Sequence, residues 1–498
     1  MAILSIIPLI SYWLLLPISF LLLRALYRKY LHPLRKVPGP FLASTTNLYR
    51  LAIFLRGRQH YEYHELHKKY GPLARLGPNT VILNDPAHFS DYFGWDKSPF
   101  WRAFRGRLTD LDHGQIANIK EHAVVKRRVM GGYSMSNIIK SEGKVDSHIT
   151  ELMQQFSARC GTVFDMAPWT QWAAFDIAMD MAFSNPIGFV KAGHDVNGLI
   201  DSLHELLTGT GIIALFPKFV TFMQQPWLFP LIAPRPTDKK GPGALYGLAW
   251  SQVNKRFDAQ DEEKHEDILQ WIIEREDREG QRLSKGVLEN ESVAPVLAGS
   301  DTSATVLRAI ILYVATNPRV LNKLHEEIDR ADAAGLLSTP PKYEEIRQHV
   351  PYIAPIMREA LRMYTVVGSP MPREVPKGGA SINGYFLPGG TEVSICHYAI
   401  GRNTAIFGED ADRFRPERWT EEVDPATRRL RETGDVFFSN GTMMCTGRNV
   451  ATLEIWKIAT QLFRQFDIEV VDPVKPWQEK DSLVMLVWDF RVSLNVRR

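Results

Sequence analysis

Nothing between residues 41 and 498 divides this chain: no Ser/Gly-rich linker, internal repeat or low-complexity tract interrupts it. Length alone would suggest about three domains, but a stretch without a seam has to bury its apolar residues in one body. Apolar residues recur at three- and four-residue spacing over 144–160, 196–212, 243–258, 265–277, 286–330 and 447–466, which predicts helices there. Strand-like runs fall at Ala74–Arg75, Val81–Leu83, Ala380–Ile382, Glu392–Ile395 and Ser482–Val487, with the turn residues Asn383-Gly384 and Pro388-Gly389-Gly390 among them. The expected fold class is mainly α with small β-sheets, as one large domain over 41–498.

Ala2 to Leu23 carries no charged residue and is long enough to cross a bilayer as a helix. A cleaved signal peptide has positive charge before its apolar run, whereas here Arg24, Arg28, Lys29, Arg35 and Lys36 come after it. A single-pass transmembrane anchor over 2–23 is therefore expected, with the body on the cytosolic side by the positive-inside rule. Pro8 and Pro17 leave a tilted or interfacial segment as the alternative. The basic, proline-rich stretch 24–40, ending in His32-Pro33-Leu34-Arg-Lys-Val-Pro38-Gly39-Pro40, reads as a stiff hinge outside the core. Three cysteines, Cys160, Cys396 and Cys445, are too few for a disulfide framework or a thiolate zinc site, and fit a reducing compartment. With a formal charge of +3 and no long basic run beyond the juxtamembrane stretch, no nucleic-acid partner is expected.

Chemistry concentrates in three places. Cys445 lies in Phe438-Ser-Asn-Gly441-Thr-Met443-Met-Cys445-Thr-Gly447-Arg448, an apolar, glycine-punctuated loop running into a helix. Unpaired N–H groups at a helix start lower a thiol's pKa and favour the thiolate, and glycines let backbone approach a flat macrocycle. Such a loop can hold a haem iron; taken alone, it more often describes a small buried hydrophobe. Glu359-Ala-Leu-Arg362 puts an acid and a base on one face of a helix expected from about Tyr352 to Met363. Glu327/Arg330 and Glu344/Arg347 share that spacing, so the pattern selects nothing by itself. What selects Glu359 is its place upstream of Phe414-Arg-Pro416-Glu417-Arg418-Trp419, because a buried carboxylate needs more than one donor and Arg418 can supply a second guanidinium. Finally, Ala298-Gly299-Ser300-Asp301-Thr302-Ser303 interrupts an apolar helical run with poor helix formers, and Ser or Thr can bond back and bend a helix. Beside a haem face this would leave room for a diatomic ligand and a water, with Asp301 and Thr302 relaying protons; the alternative is a capped break between two helices.

Taken along the chain, from the 298–303 segment through Glu359/Arg362 and 414–419 to the cysteine loop, the motifs resemble the cytochrome P-450 family of haem-thiolate monooxygenases, over essentially the whole chain. His32-Pro33-Leu34, Tyr133-Ser134-Met135-Ser136 and Pro372-Arg373-Glu374-Val375-Pro376 are similar to microsomal enzymes of filamentous fungi related to pisatin demethylase. The resemblance implies the P-450 fold and haem as cofactor. Cys445 would be its axial ligand, with a thiolate that favours O–O cleavage, in a loop keeping Phe438, Gly441 and Gly447. Asp301 and Thr302 would be catalytic, and Glu359, Arg362 and Arg418 a structural triad. Arg373 would pair with a haem propionate, joined by Lys126 or Arg127. Substrate would be walled by residues near 100–111, 206–222, 293–302, 366–371 and 484–486, segments apolar enough to imply a lipophilic small molecule.

One position departs from the family pattern, which has arginine two residues before the cysteine where this chain has Met443. Loss of one charge-assisted hydrogen bond to a propionate costs roughly 1.5–3 kcal/mol of haem binding if nothing replaces it. The implied activity is insertion of one atom of O₂ into a lipophilic molecule, in fungal secondary metabolism, at the endoplasmic reticulum membrane. No G-x-G-x-x-G element is present, so electrons are expected from a separate NADPH-cytochrome P-450 reductase docking near Lys126, Arg127, Arg128 and Arg448. Two alternatives stay open: a haem-thiolate enzyme whose net reaction is ring closure, coupling or dehydration, and a non-enzymatic membrane-tethered haem binder supported only by Met443. The proline-broken segment 216–233, crowded with large apolar residues, either touches a bilayer, roofs a pocket or packs in the core.

Overall fold

At the centre of the protein lies the helix Met166–Phe183, buried on nearly every side. It is buried all round, its polar residues Gln171 and Asp176 included, so it has no exposed polar face for a period to reveal, and pattern reading passes over it. The computed structural model describes residues 19–20, 22–106, 110–257, 265–277 and 279–497. Around the central helix pack the amphipathic helices that periodicity predicts: Glu142–Ser157, Leu199–Ala214, Pro242–Phe257, Ile268–Glu274 and Arg448–Gln465. The expected run over 286–330 is four pieces, Lys285–Glu291, Val293–Ala298, Asp301–Ala315 and Pro318–Ala333. The last of them turns away by 102°, because Pro318 brings no N–H to continue the ladder and disfavours helical backbone at the residue before it.

The sheets are small. One has strand order Leu73–Gly77, Thr80–Leu83, Glu392–Ile395, Arg373–Glu374, in which Thr80–Leu83 and Glu392–Ile395 run parallel and the outer pairs are antiparallel. Register sets Arg373 opposite Val393, on the edge strand. The single strand expected over 482–487 is instead a hairpin, Gln478–Ser482 against Val484–Trp488, turning at Leu483 with φ +71°. A leucine there carries no turn signal, because glycine and asparagine are the residues that ordinarily take that conformation.

The expected anchor falls almost wholly on residues 1–18 and 21, outside the described residues. Among those described, no single helix is long and apolar enough to cross a membrane. The 24–40 stretch is a correction to the hinge reading, because its second half belongs to a core. Leu34 and Val37 are buried among Leu73, Val81, Leu387 and Val393. Arg75 Nη1 donates to the Leu34 carbonyl at 3.2 Å, and the Arg75 N–H to that of Pro38 at 2.6 Å. Prolines fix φ in advance, so an extended segment docks on a sheet at reduced entropic cost. Leu34→Ala is expected to cost about 2–5 kcal/mol of stability and to speed tryptic cleavage at Arg35 and Lys36; urea unfolding and timed digestion check both.

Candidate active site

Cys445 stands between a 3₁₀ turn, Gly441–Met443, and the helix Arg448–Gln465. Gly441 has φ +57°, and the Cys445 N–H donates to the Phe438 carbonyl at 2.7 Å, closing the loop. The helix Ile119–Val129 fastens it from the side, with Lys126 Nζ donating to the Thr442 carbonyl at 2.9 Å and also to that of Met444. Lys126 is thus taken up by the cysteine loop rather than offered to a propionate, and Arg127, exposed on the outside of the same helix, is not brought into the site. Cys445 is enclosed by protein, yet its side chain is exposed, so what it faces is an internal slot. Burial pushes its pKa up, against the pull of the Gly447 and Arg448 N–H groups and the Lys126 ammonium. The lowering expected from the helix start is present but outweighed; a metal ion in the slot would draw the proton off. The other two thiols are donated to backbone carbonyls, Cys160 to Phe156 and Cys396 to His60, each at 3.7 Å.

Across the helix break, Ala294 and Ala298 are exposed and Thr302 half-buried, four residues apart in an otherwise buried pair of helices. A stripe of small side chains in mid-core faces a void. Gly299 is needed at the break because a Cβ there would meet Ala178 Cβ at 2.5 Å. Thr302 Oγ1 donates to the Ala298 carbonyl at 2.6 Å. Asp301 points elsewhere: it is buried, and its Oδ1 accepts from Gln171 Nε2 at 2.7 Å and lies 3.0 Å from His204 Nε2. Burial opposes a charge on His204, but Asp301 outweighs it and the pKa is raised. No sequence motif marks Gln171 or His204, which only the packing of the 166–183 and 199–214 helices on the 301–315 helix brings to the acid.

Arg373 is buried, with Nε and Nη1 lacking any partner. Its backbone bridges to Lys97, a second buried cation whose pKa is driven down to about 7 by burial and then by Arg373. Among the described residues neither forms an ion pair. Lys97 Nζ is already used, donating to the His113 carbonyl at 3.0 Å and to that of Gly114, so the orphaned donors belong to Arg373 alone. A buried guanidinium with unused N–H groups beside a second cation calls for an anion, which a haem propionate would provide. Sequence reading missed Lys97, which stands in a loop far from any motif.

Glu359, Arg362 and Arg418 are fully buried together. Arg362 donates to both Glu359 oxygens, at 2.7 and 2.9 Å, and Arg418 Nε to one of them at 2.9 Å. Trp419 Nε1 and the Arg415 N–H add 2.9 and 2.8 Å bonds, so the carboxylate meets five donors.

A cavity of about 330 Å³ lies between the 199–214 and 242–257 helices and the 103–106 segment, with Leu297 on its lining. Segment 216–233 roofs it through Val220, Met223 and Phe229, and also presents Phe219, Phe222, Trp227 and Leu231 to solvent. Of the expected substrate walls, 366–371 and 484–486 are absent from this cavity; a bridge between Val367 and Val484 ties them to each other. Residues 107–109 of the first wall lie outside the described residues.

Residues 37–491 match the cytochrome P450 family. A cytochrome P450 monooxygenase of Aspergillus terreus is 33% identical, over 90% of this chain and 93% of that protein. The cytochrome P450 monooxygenase gsfF of Penicillium aethiopicum is 30% identical over 95% of each chain. The cytochrome P450 monooxygenase aba1 of Botryotinia fuckeliana is 31% identical, over 89% of this chain and 88% of its own.

Because the folded pKa of His204 is raised, its bond to Asp301 stabilises most at low pH and the effect fades as pH rises through that folded value. His204→Gln should therefore lower the melting temperature more at about pH 6 than at about pH 9; thermal melts at both check it.

Proposed function

This chain belongs to the cytochrome P450 family, is a monooxygenase with haem as its cofactor, and on that premise we propose that it inserts one atom of O₂ into a lipophilic small molecule of fungal secondary metabolism. When bound, the haem supplies O₂ activation. Cys445 would hold its iron through the thiolate, presented by the Phe438–Cys445 backbone bond and steadied by Lys126 through the loop carbonyls. Arg373, with Lys97 beside it, would hold the propionates. Two cations there would compensate in part for Met443, which leaves the cysteine loop without its usual guanidinium.

The observation that carries the reading is the Asp301 cluster, since a haem carrier has no use for a buried acid linked to a partly exposed base beside Thr302. His204, with 29% of its side chain exposed, can take a proton from solvent and pass it to Asp301 Oδ1 at 3.0 Å. From there, rotation of Asp301 toward the stripe would hand it on beside the Thr302 hydroxyl. The stripe's small side chains leave space for the reacting molecule, beside a cavity whose lining is mainly apolar.

The redox partner is a separate NADPH-dependent reductase, docking at Arg127 and Arg448, which are exposed. Lys126 faces inward and Arg128 is paired with Asp277 at 3.4 Å, so neither contributes as first expected. Placement at the endoplasmic reticulum membrane, with the body in the cytosol, is supported by the charge-free 2–23 segment and by the exposed Phe219, Phe222, Trp227 and Leu231.

The carbon monoxide difference spectrum of the reduced protein should show the thiolate-type Soret band, lost in Cys445→Ala. Haem bound without that band would reject the ligand assignment. Turnover under ¹⁸O₂ should label the product; an unlabelled product would favour a non-oxygenating oxidation. Met443→Arg should slow haem transfer to an apo-acceptor by about ten- to a hundred-fold, and an unchanged rate would mean that Arg373 and Lys97 already suffice.

A further inference from the structure

One cation in the cavity is unexplained by anything above. Arg105 lies on a lining that is otherwise mainly apolar, and its Nε is buried without a hydrogen-bond partner. Among the described residues it forms no ion pair. Glu205, the acid on the same lining, is exposed and makes no ion pair with it. Burial, and then the charge of Arg102, pull the guanidinium pKa down, and no carboxylate among the described residues offsets them. Arg105 is also held in place. Its N–H donates to the Arg102 carbonyl at 3.2 Å, which accepts from Gln224 Nε2 at 2.8 Å, while Arg102 Nη1 reaches Thr221 Oγ1 at 3.0 Å. These bonds fix the 102–105 turn against the roof helix Pro217–Met223.

The cavity joins two different environments. Ile232 lines it and is 45% exposed at the apolar surface patch, while Leu297 lines it next to Ala298 of the small-residue stripe. Arg105 shares the lining with both. The residue is half-buried, so water reaches part of the guanidinium, but its Nε faces protein with no acceptor. A planar guanidinium with such a free N–H on an apolar lining matches a carboxylate bidentately.

We infer that Arg105 binds the carboxylate of a lipophilic acid, which is the substrate class of this cavity. The inference rests on the monooxygenase reading and adds to it a requirement for negative charge. The aliphatic or aromatic body of the acid fills the apolar space, and the ionised carboxyl meets the orphaned donor.

The test uses the haem-loaded full chain and isothermal titration with 2-naphthoate and its methyl ester near neutral pH. The wild type should bind the acid about ten- to a hundred-fold more tightly than the ester. Arg105→Gln should lose that preference while binding the ester as before, and Arg105→Lys should keep part of it. Equal binding of acid and ester by the wild type, or a preference that survives in Arg105→Gln, overturns the assignment. The carbon monoxide spectrum is recorded on the same samples. A variant that keeps the thiolate-type band is folded, so its lost preference reports recognition. If the band is missing from the wild type, the monooxygenase reading fails separately, whatever the acid does.

Discussion

The lower half of this protein depends on one buried carboxylate. Glu359 stands between two guanidinium groups, and Asp410 supplies the second carboxylate, its Oδ1 accepting from Arg418 Nη1 at 3.1 Å, so the charges of the cluster balance. Backbone carbonyls take up the remaining guanidinium N–H groups. Arg362 reaches those of Gly401, Ala411 and Arg413, and Arg418 those of Phe407, Asp410 and Arg413. The result is a fixed irregular segment, 401–419, with few strand or helix bonds of its own. The same helix carries Arg358, which pairs with Asp435 at 2.6 Å, three residues before Phe438. The cysteine loop therefore starts from a point that this network holds.

Much of that was legible because it is local or repeated. Glu359 and Arg362 are one helical turn apart, and Phe414 to Trp419 is a contiguous motif. Cys445 announces itself through glycines and a following helix. Amphipathic helices such as 448–465 reveal their buried face in their spacing. The central helix 166–183 does not, because a segment buried on all sides has no solvent face to set its polar residues apart from the apolar ones. The same limit hid Gln171 and His204, which meet Asp301 across long sequence separations.

Charges were the hardest to place. Lys126 and Arg127 are neighbours in sequence, but helical geometry sends one inward to the cysteine loop and the other to solvent. Lys97 and Arg373 are far apart in the chain, and a β-bridge sets them side by side. Whether a lysine is a propionate partner, a loop fastener or a surface charge is decided by which backbone carbonyls happen to face it, and sequence spacing does not encode that. Turn chemistry failed in the same way at Leu483, where the hairpin is imposed by its partners and not by the residue at the bend.

The docked 24–40 segment changes how the N-terminus meets the body. Arg28 Nη1 donates to the Thr45 carbonyl at 2.5 Å, and Arg75 Nη1 to the Arg28 carbonyl at 3.4 Å, so fixation begins before the prolines. A flexible leash would let the body tumble and sample every orientation. This segment is instead fastened to the sheet from Arg28 onward, so the direction in which the chain enters the body is set by the fold and not by a free linker.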